Sequence, residues 1–479
     1  MEKVTIELEN IQMSYLDRVV LDIQKLSVHQ FDRIGIVGNN GSGKSTLLKL
    51  MSREVTPSRG KVISHTDASV FPQLDSERNA VADAEWLGRL SVPNHDQLSG
   101  GEETTRKLAQ TFSVYKEVLL LDEPTTHLDC EGVRFVIDEL KYYYGAFVLV
   151  SHDRDVLDEL VTKIWEVDQG RVTVYTGNYS DYKQQKELEN KQQANQYDKY
   201  LKDKERLQRS AQEKMRKASD VTKGSKGTPN ANRMFMTKEK GSSQKAMAKA
   251  AKAIEQRMDQ LEEVQAPEQA QHIRFHTPEV LELHNKIPIM ADRATIRAGN
   301  RTLVKDVSFQ LPLGKTIAFT GANGAGKSTL LHHIANDQAG VILSPKVVIG
   351  RYEQMAYHFE SDETVIDWIR NQSDYEEPQI RAVLSSMGFQ GNDIQKSVNY
   401  LSGGEAIRLV LSERFLGSYN VLILDEPTTF LDVQSIEALE EMIAKYKGTV
   451  LIVSHDKQFI EEVSDLIYEI KDGRLTQVK

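Results

Sequence analysis

The sequence predicts an α/β protein in which two tandem copies of one parallel-sheet domain are joined by a long α-helical hairpin. Three observations carry that expectation. Two stretches of the 479-residue chain match each other in order and roughly in spacing, from about Met1 to Tyr182 and from about Val280 to Lys479. Within each, short apolar runs alternate with helical patterns, the mark of a largely parallel sheet flanked by helices. Between them the composition shifts to Lys, Gln, Glu and Ala. The expected boundaries are a first domain over 1–182, a linker over 183–264 with its tip loop at about 220–243, a connector over 265–279 and a second domain over 280–479.

Each repeat opens on alternating, strand-like residues such as Val4, Ile6 and Leu8, then an apolar run that ends in a glycine-rich loop. The first loop is Gly38-Asn39-Asn40-Gly41-Ser42-Gly43-Lys44-Ser45-Thr46, and the second is Gly321-Ala322-Asn323-Gly324-Ala325-Gly326-Lys327-Ser328-Thr329. Both match the full phosphate-loop pattern in its strand-loop-helix setting. The glycines let backbone N–H groups curl around phosphates at a helix N-terminus. Lys44 and Lys327 are expected to reach the β- and γ-phosphates of ATP, and Ser45 and Ser328 to hold Mg²⁺.

Further on, VLLLDE ends at Asp122-Glu123 and VLILDE at Asp425-Glu426. A buried strand thus delivers two carboxylates at its C-terminal end. Asp122 and Asp425 suit the Mg²⁺ shell, and Glu123 and Glu426 suit orienting the attacking water.

The linker reads as two helices, Tyr182 to about Ala218 and about Ser243 to Val264, made of helix formers without proline. VTKGSKGTPN breaks the pattern between them. Residues 183–264 hold 20 Lys or Arg and 12 Asp or Glu, against 60 and 70 in the whole chain. The acidic net charge of -10 therefore hides a basic insert suited to phosphate-rich RNA. At its tip, Arg233, Met234, Phe235 and Met236 suit packing on nucleotides. The one cysteine, Cys130, excludes an intramolecular disulfide and fits a reducing compartment. The start shows no signal-peptide core, and no apolar run is long enough to span a membrane; no membrane partner is expected, and the membrane part of any transporter would have to be another chain.

The sequence also carries LSGGE twice, at Leu98-Ser99-Gly100-Gly101-Glu102 and Leu401-Ser402-Gly403-Gly404-Glu405. This resembles the signature of the ABC ATPase superfamily. The resemblance implies two tandem ABC ATPase (P-loop NTPase) domains that close on each other around two ATP molecules. It also implies that Gln73 and Gln354 are Q-loop residues near Mg²⁺ and the attacking water. Asp129 and Asp432 fall in D-loops, and His152 and His455 are switch histidines at the γ-phosphate. Site one would combine the Lys44 loop with Ser402 and Gly404, and site two the Lys327 loop with Ser99 and Gly101. Tyr15 resembles the aromatic that stacks on adenine. The second repeat has no aromatic there, and Arg297 and Ile296 are the alternatives. Gln73 precedes its signature by 25 residues and Gln354 by 47, so the first helical subdomain is expected to be short.

Two fused cassettes, a helical linker and the phrase from Ile164 to Glu187 resemble the ABC-F proteins over nearly the whole chain. Within them the likeness is to the antibiotic-resistance ribosomal protection members of the Vga/Msr/Vml type. This implies a cytoplasmic, ribosome-associated monomer acting on the 70S ribosome, with 23S rRNA and P-site tRNA as contacts. The linker would enter the E site and promote release of drugs near the peptidyl-transferase centre or exit tunnel. A housekeeping ABC-F translation factor and a transporter's ATPase subunit are the alternatives. Phe430 stands where the family usually has histidine.

Overall fold

A computed structural model of the chain describes residues 3–15, 18–71, 100–113, 115–126, 128, 130–223, 249, 252–254, 275, 283, 285–299, 301–353, 357 and 359–479. By their internal contacts the residues form two compact units. One holds Met1–Tyr182 with Gln271–Lys479, and the other Lys183–Ala270.

The first repeat opens on two long antiparallel strands, β1 (Val4–Tyr15) and β2 (Arg18–His29), whose alternating residues bury one face. Strand β3 (Arg33–Val37) leads through the first phosphate loop into α1 (Lys44–Met51). Then follow β4 (Arg59–Ser64), β5 (Ala68–Phe71), α2 (Gly100–Phe112), β6 (Val118–Asp122), α3 (Cys130–Lys141), β7 (Ala146–Val150), α4 (Arg154–Leu160), β8 (Lys163–Asp168) and β9 (Arg171–Thr176). Strands β2-β1-β4 make a small antiparallel sheet, and β5-β6-β7-β3-β8-β9 a six-stranded one, parallel up to β8. Strands β6 and β7 are buried at every position, which is why they read as unbroken apolar runs rather than alternating ones.

Helix α5 (Tyr179–Lys223) is 45 residues long, about 68 Å at 1.5 Å per residue. It is polar around most of its circumference. Same-face pairs such as Glu187–Lys191 and Glu205–Arg209, and the Lys204 ammonium over the Tyr200 ring, support it. It continues five residues past Ala218, so Asp220 belongs to the helix and not to the tip loop. Of the second linker helix, Lys249 and 252–254 are described and are helical; its other residues and the tip lie outside the described residues.

The second repeat runs β10 (Ile289–Ala298), β11 (Arg301–Leu311), β12 (Thr316–Gly321), α6 (Lys327–Ala335), β13 (Val341–Leu343) and β14 (Ile349–Tyr352). A helical subdomain follows, with α7 (Val365–Arg370), α8 (Glu377–Ser386) and two 3-10 turns, before α9 (Gly403–Leu416). The repeat closes with β15 (Val421–Asp425), α10 (Val433–Lys445), β16 (Thr449–Val453), α11 (Lys457–Val463), β17 (Leu466–Lys471) and β18 (Arg474–Gln477). Its sheets, β11-β10-β13 and β14-β15-β16-β12-β17-β18, repeat the first pair strand for strand. Among the described residues, no helix is long and apolar enough to cross a membrane.

Candidate nucleotide sites

The two phosphate loops share one backbone design. Gly43 and Gly326 cap α1 and α6 in the left-handed conformation, and Gly38 and Gly321 also have positive φ. A Cβ on Gly38 would meet the Val167 carbonyl at 2.3 Å, and one on Gly321 the Ile470 carbonyl at 2.5 Å, so only glycine fits. The helix N-termini carry no side-chain cap, which leaves their N–H groups for an anion. Lys44 Nζ donates to the Gly38 and Asn39 carbonyls at 2.7 and 3.2 Å. Lys327 Nζ donates to Gly321 and Ala322 at 2.9 and 3.0 Å. Both lysines are nearly buried, and each folds over its own loop where phosphate oxygens would compete for it.

Sheet order brings the acids to the loops. Strand β6 lies beside β7, and β7 beside β3, so Asp122 and His152 come from neighbouring strand ends. In the second repeat, β15, β16 and β12 do the same for Asp425 and His455. Ser328 Oγ donates to Asp425 Oδ1 at 3.0 Å, and Ser45 hydrogen-bonds Asp122 in the same way. Burial raises both aspartates above the usual range, and the serine hydroxyl opposes the rise. A serine oxygen beside a carboxylate fits a hard, oxygen-preferring cation such as Mg²⁺ that keeps water and phosphate ligands. Among the described residues no group of three or more His, Cys, Asp or Glu forms a cage of its own.

Glu123 and Glu426 both sit in left-handed backbone, at φ 50° and 51°, just past their strands. Each backbone N–H donates to the neighbouring strand's last residue, Val150 at 2.9 Å and Val453 at 2.8 Å. This turn points the glutamate differently from the aspartate before it. His152 Nε2 lies 3.5 Å from Glu123 Oε1, and His455 Nε2 lies 3.3 Å from Glu426 Oε1. Burial pushes Glu123 up to about 8 and Glu426 up to about 7, and pushes His152 down to about 3. Glu123 Oε1 and His152 Nδ1 are buried without a hydrogen-bond partner, as polar atoms awaiting a ligand would be.

The first loop also meets the other repeat. Asn40 N–H donates to Asp432 Oδ2 at 2.8 Å, and its side-chain amide donates to the Phe430 carbonyl at 3.0 Å. A Cβ on Gly404, at the start of α9, would lie 3.4 Å from that same amide. Ser402 caps α9 through a reciprocal box with Glu405, and Lys396 Nζ holds the glutamate at 3.0 and 2.9 Å. Asp432 caps α10 through Ser435 N–H at 2.9 Å. The Lys44 loop, the second signature and the second D-loop are therefore neighbours, the arrangement expected of site one.

A family model described as "ABC transporter" matches residues 21–87 and 304–429, and another of the same description matches 165–275. The erythromycin resistance ATP-binding protein MsrA of Staphylococcus epidermidis is 38% identical, over 98% of this chain and 98% of its own. The chain belongs to the ABC-F family of ATP-binding cassette ATPases. The ribosome protection protein VmlR of Bacillus subtilis is a second relative, 32% identical over 97% of this chain and 86% of its own. A solved chain from the complex of archaeal ribosomal stalk protein aP1 with archaeal ribosome recycling factor aABCE1 shares the fold. Its TM-score is 0.66 at 19% identity, covering 97% of this chain and 89% of that one.

The remaining ABC-F motif positions divide by where they fall. Gln73, Gln354, Ser99, Asp129 and the tip residues Arg233, Met234, Phe235 and Met236 lie outside the described residues. Gly100, Gly101 and Glu102 open α2. Tyr15 ends β1 and is 47% exposed, as a base-stacking ring must be. One expectation needs correcting. Tyr15 pairs with Arg18 across its hairpin as Ala298 pairs with Arg301, so Ala298 holds the matching register position. Ile296 is fully buried in the sheet core and cannot face a base; Arg297 is exposed. Sequence motifs named Asn40 and Phe430 but not their contact across the cassettes, and they missed Arg154 and Glu440, which also join the two cassettes. Arg154 carried a weak signal, since it directly follows His152-Asp153.

Proposed function

We propose that this ATPase binds the ribosome and protects it, its linker entering the E site and promoting release of antibiotics bound near the peptidyl-transferase centre or exit tunnel. The observation that carries this reading is end-to-end likeness, linker included, to proteins named for erythromycin resistance and ribosome protection. The basic linker between acidic cassettes supports it, because counterion release favours RNA as its partner.

In this reading ATP favours closure because some of its contacts exist only when the cassettes are together. The Gly38–Thr46 loop, with Asn39, Gly41, Ser42 and Gly43, cradles one set of phosphates, and Ser402, Gly403, Gly404 and Glu405 present the opposing helix start. The Gly321–Thr329 loop is paired likewise with Ser99, Gly100, Gly101 and Glu102, and Asp129 mirrors Asp432. Mg²⁺ would neutralise charge across the β- and γ-phosphates, held by Ser45 and Asp122 at one site and Ser328 and Asp425 at the other, with Gln73 and Gln354 completing each. Glu123 and Glu426 orient the attacking water, and His152 and His455 contact the γ-phosphate. Loss of that phosphate removes the bridge, and the cassettes separate.

The test is ribosome pelleting with the full chain carrying Glu123→Gln and Glu426→Gln. Removing both bases should cut kcat by about 10²–10⁴-fold. The variant should then co-sediment with 70S ribosomes in ATP and not in ADP. Failure to sediment would sink the ribosomal reading. Drug susceptibility of cells with and without the protein, across macrolides, lincosamides, streptogramins, pleuromutilins and phenicols, separates protection from a housekeeping role. Unchanged susceptibility to all five favours the latter.

A further inference from the structure

Helix α4 touches three functional elements within seven residues. Its N-cap Asp153, which accepts from Val156 N–H at 3.1 Å, directly follows His152. Its first residue, Arg154, has a side chain only 2% exposed. That guanidinium reaches the other cassette: Nη2 donates to Glu440 Oε1 at 2.5 Å and Nη1 to Oε2 at 3.4 Å. Its last turn carries Asp158, whose two oxygens accept from the Ser180 N–H and hydroxyl, each at 2.7 Å. Ser180 lies in the first turn of α5, where Asn178 and Asp181 also cap each other reciprocally. Tyr179 is buried within electrostatic reach of Arg154, Glu440, Glu437 and Asp158.

A buried guanidinium has to be paired, and breaking such a pair leaves an uncompensated charge. The carboxylate hydrogen-bonded to Arg154, Glu440, belongs to the second cassette, as does Asp456, which also acts on it; Asp155 of its own helix is within electrostatic reach as well. Glu440 lies on α10, the helix whose cap Asp432 meets the first phosphate loop. The charge of Arg154 is therefore compensated in the closed pair. The matching place across the interface is built differently. Lys457 follows His455-Asp456 and is exposed, and the residue equivalent to Glu440, counted from the D-loop aspartate, is Ile137, which is buried.

We propose that Arg154 is a positioning residue that couples closure over the first phosphate loop to the root of the long linker helix. Pairing with Glu440 sets α4. One end of α4 then places His152 for the γ-phosphate, and the other holds the first turn of α5 through Asp158. The device is one-sided, so site one governs the linker root more strongly than site two. This inference rests on ATP hydrolysis by the paired cassettes and not on what the linker binds.

The experiment uses the full chain with Arg154→Met, Glu440→Met and the double variant. Steady-state ATPase is measured together with amide hydrogen exchange over Tyr179–Tyr182, with and without ATP. Each single change should lower kcat about tenfold with KM for ATP within about twofold, and the double should be no worse than either single. ATP should slow exchange at the helix root in the parent and leave it unchanged in the single variants. Arg154→Lys keeps the charge without the fork and should restore the exchange response, which a variant that merely misfolds would not do. Multiplying effects in the double, about a hundredfold, would overturn the proposal. So would an undiminished exchange response in Arg154→Met, or a folded Arg154→Lys protein with no response.

Discussion

Strand for strand the first cassette, β5-β6-β7-β3-β8-β9, and the second, β14-β15-β16-β12-β17-β18, are built in one order, and their catalytic ends match closely. Glu123 and Glu426 share a left-handed backbone, a raised carboxyl and a histidine neighbour. The differences gather elsewhere. Twenty-eight residues separate Phe71 from Gly100, against fifty between Tyr352 and Gly403, where the second cassette holds α7 and α8. Tyr15 is matched by Ala298, Arg154 by Lys457 and Glu440 by Ile137. Buried parallel strands hold the chemistry constant because a packed core tolerates little change. Beyond the helical subdomain, Tyr15 lies at the base end of the site, and Arg154 and Glu440 meet across the cassettes. Duplication has thus kept two copies of the engine and given them unequal ties to each other and to the linker.

The base pocket gives the largest test of that inequality. An exposed tyrosine ring stacked on adenine contributes about 1.4 kcal/mol, a factor of ten. Tyr15→Ala should therefore weaken ATP binding about tenfold at the Lys44 site and leave the Lys327 site within about twofold. Ala298→Tyr should tighten the second site. Two-site titration with a slowly hydrolysed ATP analogue reads both. An equal loss at the two sites, or none, would remove Tyr15 from the pocket.

The glycine loops and acidic strand ends were legible in the sequence because phosphate chemistry fixes residue type and spacing over a few positions, while the histidines were legible only through the resemblance to the ABC superfamily. The largely parallel sheet followed from apolar runs such as Val118–Leu121, which a fully buried parallel strand requires, whereas the order of its strands was not legible. Register was harder to read. The place of Ala298 depends on how a hairpin closes, and Ile296 gives no local sign that it points into the core. Helix α5 outran its expected end because nothing in SDVTK breaks a helix before Gly224. Arg154 and Glu440 are 286 residues apart, so no local period could announce their pairing.

The signature helices sharpen the comparison at a smaller scale. Glu405 closes the box that caps α9 and is gripped by Lys396, whereas the position matching Lys396 in the first cassette is Pro93. Burial opposes ionisation of Glu405, but the Ser402 N–H, Lys396 and the Ser402 hydroxyl together hold its carboxyl below the ordinary 4.5. A depressed native pKa means stability that is full above the unfolded value and lost as pH falls through the native one. Glu405→Gln should cost about 1 kcal/mol at pH 7, measured by urea unfolding, and the gap from the parent should close below about pH 4.5. Glu102→Gln, where the sequence has Pro93 at the position matching Lys396, should cost less. Equal costs would show that Lys396 adds nothing to the second signature.

Phe430 gives the smallest effect and separates ring from backbone. Its φ of 65° is a left-handed conformation that a bulky side chain disfavours, and the ring is 48% exposed. The contact it makes to Asn40 uses its carbonyl, which any residue supplies. Asparagine accepts left-handed backbone more readily than phenylalanine and without the unfolded-state entropy of glycine. Phe430→Asn should therefore raise unfolding free energy by about 0.5 kcal/mol while ATP turnover stays within about twofold. If turnover instead falls tenfold with stability unchanged, the ring itself takes part in closure over the first phosphate loop. The departure from the family's histidine would then count among the features that make the two sites unequal, rather than as a tolerated strain beside them.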